Sequence, residues 1–263
     1  MLLSPVDDLR FGGVYPELAG ARVMITGLTA RCGVDVSRAF ADHKARLLLQ
    51  VEEPSPETNE IAAVLAQTAC DVKLYEHGEL SADDAIAFAQ GPGMDAFGGL
   101  DVVINLIDLA PDELVGTASL DDVEYIASKK LLAPVLMTRV AANRMALTMT
   151  EGVIVNVITA PPISDARQGA LASTINATLA SMTRREAAKW AEKGVKVNAV
   201  GASSADAALA GMRDPISNHA TEPKIAALAL YLASRSGAKL SGHTFDASQI
   251  AFAGDPQTAP TPF

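Results

Sequence analysis

The sequence predicts an α/β fold in which a doubly wound parallel sheet is covered by helices on both faces, in three layers, as a single domain over residues 1–263. Two observations carry this reading. Short apolar runs rich in Val, Ile and Leu alternate with helical patterns along the chain, the signature of repeated β-α-β units. The first of these units opens with RVMITGLTARCG, Arg22 to Gly33, where an apolar strand runs into a glycine turn and a helix begins. In that stretch Val23, Met24 and Ile25 form a buried-strand run, Gly27 breaks it, and Gly33 opens a pattern with Val34, Val36 and Phe40 as apolar positions. A helix start offers unpaired N–H groups and partial positive charge to a pyrophosphate, and glycines let the backbone come close.

The remaining elements follow in order. Residues 1–17 contain Pro5, Gly12, Gly13 and Pro16 and read as an irregular arm. The second strand is placed at Ala45 to Val51, and Glu52-Glu53-Pro54-Ser55-Pro56 ends it and restarts a helix over Glu57 to Ala69. A third strand is expected at Val72 to Tyr75. A helix then covers Ser81 to Ala89, capped by Ser81 with Asp83 and Asp84 in its first turn, and Gly91-Pro92-Gly93 reads as a loop. Strand four is Asp101 to Leu106. A long helix from Leu120 to Thr148 should be bent or interrupted at Pro134. Gly152 to Ile158 is strand five, Gln168 to Lys193 a helix, and Val195 to Val200 strand six. Residues 201–219 read as a loop of small residues, Pro223 to Ala233 as a helix with Pro223 near its first turn, and Thr244 to Asp246 as a short last strand.

A formal net charge of −10 argues against sequence-independent attraction to nucleic acid or to an anionic membrane surface. Cys32 and Cys70 are too few for a disulfide framework and lack metal-ligand spacing with the histidines, so no metal is expected. With no signal-peptide pattern at Met1 to Arg10 and no run of about 18 apolar residues, the expected location is cytoplasmic. His43 and His77 read as solvated or capping residues, and Cys32 as buried, although a helix N-terminus would favour its thiolate. Met137, Met145, Met149 and Met182 read as core or subunit-contact residues. Arg184, Arg185 and Lys189 read as a solvated face shared with Glu186 and Glu192.

The turn Thr26-Gly27 … Arg31-Cys32-Gly33 resembles the Thr-Gly-x-x-x-Gly-x-Gly of the short-chain dehydrogenase/reductase family, with Arg31 where the middle glycine is expected. Leu18-Ala19-Gly20, Gly99-Leu100-Asp101-Val102-Val103-Ile104-Asn105, Ile154-Val155-Asn156-Val157, Val197-Asn198-Ala199-Val200, Leu230-Tyr231-Leu232-Ala233-Ser234 and Ser241-Gly242 resemble further signposts of that family, in its order. The resemblance implies a Rossmann-like fold, an NAD(P)-dependent oxidoreductase activity, residues 201–219 as the substrate loop, and a homodimer or homotetramer packed through the two long helices and the last strand. It also implies a small-molecule ligand that residues 201–219 do not identify.

The same resemblance places the family's acid/base tyrosine on Ala172 and its lysine on Asn176, so the proton-transfer pair is missing. General acid–base help of this kind contributes roughly 10²–10⁴-fold. The family serine falls on Thr159, and the family asparagine on Lys130. Asn105-Leu106-Ile107-Asp108 replaces Asn-Asn-Ala-Gly, and an Asp108–Lys130 pair is expected, as a neutralising bridge or as substitute acid/base groups. Candidate cofactor contacts are Gly27, Arg31, Cys32, Gly33, Glu52 and Asn105. Arg31 either blocks the pyrophosphate or pairs with it, and Gly27, Gly33 and Asn105 equally suit turn geometry and strand-end hydrogen bonds alone. Glu52 and Glu53 would repel a 2′-phosphate, which favours NAD over NADP if a dinucleotide binds at all. The expected role is binding, regulatory or structural. The alternative is an active NAD-dependent oxidoreductase rebuilt around Thr159 with Lys130 or Asp108.

Overall fold

The computed structural model describes residues 13–109, 119–159, 166–201 and 222–247. The order of elements is β1 (Arg22–Leu28), α1 (Val34–Asp42), β2 (Arg46–Val51), α2 (Pro56–Leu65), β3 (Asp71–Glu76), α3 (Ala82–Gln90), α4 (Pro92–Asp95) and β4 (Val102–Asp108). Then come α5 (Leu120–Leu147), β5 (Val153–Thr159), α6 (Ala166–Trp190), β6 (Lys196–Gly201), α7 (Glu222–Ala233) and β7 (Thr244–Asp246). The seven strands form one sheet in the order β3-β2-β1-β4-β5-β6-β7. Every neighbouring pair is parallel. The doubly wound α/β fold is as expected from the sequence.

Each face of the sheet has its own core. On one side Val36 and Phe40 of α1 pack with Ile225 and Leu228 of α7 against Val23, Ile25, Ile104 and Val155. On the other, Phe88 of α3, Met137 and Met145 of α5 and Trp190 of α6 pack against Met24, Val103, Ile154 and Val197. Successive strand residues point to opposite faces, so each strand of the interior is apolar on both. The strand order reverses between β1 and β4, which opens a crevice at their carboxyl ends.

Local chemistry explains the helix starts. Ser55, Ser81 and Ser119 each cap a helix in a reciprocal capping box, with Thr58, Asp84 and Asp122 as the answering side chains. Three details differ from the sequence reading. The loop placed at Gly91-Pro92-Gly93 is instead the start of α4, because Pro92 sits at N1, where its missing N–H costs nothing. Of the bend or interruption expected at Pro134, the interruption does not occur, and α5 runs through it as one helix of 28 residues. The segment Pro16–Leu18, at the end of the expected arm, forms one 3₁₀ turn that seats Leu18 in the core. Residues 1–12 and 202–221, which include most of the expected arm and substrate loop, lie outside the described residues.

Some side-chain expectations also change. Met137 and Met145 are core residues, but Met149 is 91% exposed and is not. Glu186 does not join a solvated face. It is 5% exposed, accepts from Trp190 Nε1 at 3.0 Å and pairs with Arg139 at 2.7 Å. Burial without those two donors would be costly, so α6 is fixed to α5 at this point. His43 takes the capping role, its Nδ1 lying 2.7 Å from Ala39 O at the end of α1.

Candidate functional site

The crevice begins with a layer of neutral polar groups inside the sheet. Asn105 of β4 donates through Nδ2 to Asn156 Oδ1 (2.7 Å) and Thr138 Oγ1 (3.2 Å), and accepts from Thr26 Oγ1 (3.1 Å). Thr138 Oγ1 in turn donates to Asn156 Oδ1 at 3.1 Å. All four residues are buried, and their donors and acceptors meet one another. Asn105, expected among the cofactor contacts, is thus part of a sheet-locking network. Thr138 was not singled out by sequence and Asn156 was named only within a strand signpost, although an asparagine inside the apolar run of β5 is the sort of signal that marks a buried partner.

Above this layer lies the glycine turn. Gly27 has φ +79°, and a Cβ there would sit 2.5 Å from the Leu106 carbonyl oxygen. Its N–H donates to Gln50 Oε1 at 2.7 Å, while Gln50 Nε2 donates to Gly78 O at 2.7 Å. Gln50, 1% exposed, ties the turn to the loop after β3 and was missed by the sequence reading, where it follows the apolar run Leu47-Leu48-Leu49 as a polar residue near the strand end. Gly33 has φ +89°, and a Cβ there would overlap the Leu106 side chain. Its glycine therefore lets α1 approach β4, a requirement of packing that exists without any ligand.

The N–H groups that could cradle a phosphate are largely engaged within the chain. Thr29 Oγ1 accepts from Arg31 N (3.2 Å) and Cys32 N (3.0 Å), and Thr29 N donates to Cys32 O at 3.1 Å. At the first turn of α1, Asp35 N donates to Glu222 Oε1 at 2.9 Å. Burial raises the pKa of that carboxylate and the Asp35 charge adds to it, while the Asp35, Gly33 and Val36 amides stabilise its ionised form and lower the pKa; the net shift is upward. Arg31 is exposed.

The other end of the crevice is lined by Thr26, Gly27, Gln50, Glu52, Glu79, Asp108 and Lys130, among others, and encloses about 50 Å³. Pockets for ligands of drug-like size are about 300–1,000 Å³. Lys130 does face this crevice, and its ammonium lies 4.0 Å from Glu52 Oε1. The expected Asp108–Lys130 bridge is therefore replaced by a contact from Lys130 to Glu52, the acid expected to hold a ribose. Burial raises the Glu52 pKa, Lys130 lowers it, and burial wins. Lys129 and Glu79 form a second pair at 3.0 Å on the rim.

Thr159 and Asp108 do come together: Thr159 Oγ1 donates to Asp108 Oδ1 at 2.9 Å. Cys32 Sγ lies 3.3 Å from Thr159 Oγ1. With the hydroxyl proton committed to Asp108, the thiol is the donor in that contact. Burial, with Asp108 adding to it, pushes the Cys32 pKa up to about 12, so the helix N-terminus does not yield a thiolate. Ala172 on α6, where the resemblance expects tyrosine, is 4% exposed, and Asn176 one turn later lies against Gly201 of β6. Among the described residues no cluster of three His, Cys, Asp or Glu side chains could hold a metal ion. Nor is any helix among them long and apolar enough to cross a membrane.

These residues do not fit a dinucleotide. The phosphate-facing amides of the turn already have acceptors in Thr29 and Glu222, and the ribose acid contacts Lys130.

Comparison with known proteins agrees with the fold. A family profile described as Enoyl-(Acyl carrier protein) reductase matches residues 31–248. Glucose 1-dehydrogenase 2 of Bacillus subtilis is 21% identical over 192 residues, 71% of this chain and 72% of that one. A short-chain type dehydrogenase/reductase from Mycobacterium marinum superposes with a TM-score of 0.71 at 19% identity, covering 87% of this chain and 94% of that chain. A short chain dehydrogenase from Burkholderia cenocepacia, in complex with NADP, gives 0.68 at 20% identity, covering 88% and 98%. Proteins of this kind generally bind NAD(P). With the glycine turn, the strand signposts and the sheet order in agreement, the chain belongs to the short-chain dehydrogenase/reductase family of oxidoreductases.

Proposed function

We propose that this chain is a member of that family in which the usual proton transfer has been lost, and that it serves a binding, regulatory or structural role as an inactive subunit. The observation that carries this reading is Ala172. A methyl group, 4% exposed, stands where the resemblance expects the acid/base tyrosine, and an alanine has no proton to exchange. The engaged turn amides point the same way.

Thr159, Asp108 and Lys130, the groups around which an active site would have to be rebuilt, are occupied with Cys32, each other and Glu52. If a dinucleotide binds under some condition, Glu52 and Glu53 favour NAD over NADP by repelling a 2′-phosphate. The assembly is a homodimer or homotetramer built on α5, α6 and β7, the setting a single-domain cytoplasmic subunit of this fold would suit.

The test is a calorimetric titration with NADH and NADPH beside a reduction assay over a broad carbonyl panel. No heat at millimolar cofactor and no turnover are expected. Robust NADH-dependent reduction would overturn the reading.

A further inference from the structure

The misfit between crevice and dinucleotide has a specific cause at its phosphate end. Consecutive N–H groups from the turn into α1 would be the natural seat of a pyrophosphate, because their dipoles converge and intrahelical partners are lacking. Here a carboxylate sits on them. Glu222 comes from the first residue of α7, 187 residues further along the chain, and its Oε1 accepts from Asp35 N at 2.9 Å. It is half-buried, next to Asp35, a second negative charge that works against it. A neutral cap would satisfy the same amide without that repulsion. Thr29 performs the equivalent service for Arg31 and Cys32 with a hydroxyl. The anionic choice at Glu222 is thus more than the hydrogen bond requires.

We propose that Glu222 is a built-in anion that occupies the phosphate end of the crevice and excludes nucleotide diphosphates from it, so that removing its charge opens a binding site for them. The inference rests on the reading that the wild-type chain does not use a dinucleotide, and goes beyond it by naming the contact responsible. α1 is nine residues long and α7 packs directly beside it, so the contact is held by two helices that share one core. Displacing a charged side chain from half-buried amides leaves several donors aimed at one point. An anion of matching charge then fills them.

The experiment titrates wild type and Glu222→Ala with ADP and with inorganic pyrophosphate by calorimetry. Amide chemical shifts of Gly33, Asp35 and Val36 locate the binding. Wild type should bind neither probe, and the variant should bind ADP at least about tenfold more tightly, with those three amides shifting. Should Glu222→Ala fail to fold, Glu222→Gln decides the matter, since its amide oxygen keeps an acceptor for Asp35 N while the charge is gone. A folded variant with wild-type affinity, or binding that leaves the three amides unmoved, overturns the proposal while the inactive-subunit reading stands. Wild type that itself binds ADP through those amides also overturns the proposal, and the inactive-subunit reading, which is carried by Ala172, then falls only to turnover in the carbonyl assay.

Discussion

At the N-terminal edge of the sheet, Arg22 on β1 meets Asp101 just before β4 through Nη2 at 2.6 Å and Nε at 2.9 Å, and the Arg22 backbone N–H adds a third bond at 2.8 Å. At the C-terminal edge, Glu52 at the end of β2 faces Lys130 of α5 across 4.0 Å. Both carboxylates are taken partly out of water, and burial pushes both pKa values up. At Asp101 the guanidinium fork outweighs burial and the net shift is downward; at Glu52 the single lysine does not, and the net shift is upward. A planar fork with two donors compensates desolvation where one distant ammonium cannot. The lower end is built to hold the fold, and the upper end carries a cost that the fold absorbs.

The sharpest way to break this comparison is at the lower end. Asp101→Ala removes three hydrogen bonds and leaves the Arg22 guanidinium with Gly98 O as its acceptor among the described residues. It should lower unfolding free energy by about 2–4 kcal/mol at neutral pH, read from the urea midpoint at unchanged m-value. The sign of its pH dependence is fixed by the downward shift. The stabilisation is fully present above the ordinary aspartate value of 3.8 and is lost as pH falls through the lower folded value, so wild type and variant should converge in acid. A variant difference that persists unchanged at pH 2 would show that the pair acts by packing alone.

Gly33→Ala probes the upper end by shape rather than charge. The residue would be held at φ +89° with its new methyl against Leu106, at a cost of about 1–2 kcal/mol from the backbone alone. Because the obstructing atom is the end of a flexible side chain, Gly33→Ala combined with Leu106→Ala should cost less than the two single changes added together. Strict additivity in that double-mutant cycle would mean that Leu106 is not what Gly33 accommodates.

These positions also show what could be read in the sequence. Strand and helix order was legible because buried strands and amphipathic helices have local periods, and Ser81 announced its own cap through Asp84 three residues on. α4 was not, since its four residues have no period and Pro92 suits a loop equally well. In the crevice, Gly27, Gly33, Glu52 and Lys130 were placed from their neighbours in the chain. Which of them touch was not. Lys130 and Glu52 are brought together by the packing of α5 on the sheet, and Glu222 reaches α1 from the far side of residues 202–221, a juxtaposition that only the folded chain creates.

The smallest expected effect is the most discriminating one for the upper end. Glu52 has a raised folded pKa, so the native state holds its proton more tightly than the unfolded chain does. Stability therefore falls as pH rises from the ordinary glutamate value of 4.5 through the folded value, the reverse of Asp101. Glu52→Gln removes that liability while keeping a hydrogen-bonding side chain of the same length. It should raise stability by up to about 1 kcal/mol at pH 8 and have no effect at pH 4, because only the ionised carboxylate is penalised and Lys130 recovers part of that penalty. A loss of stability at pH 8 would mean that Lys130 contributes more than burial removes. The two ends of the sheet would then differ only in degree, with the crevice locked by its ion pair.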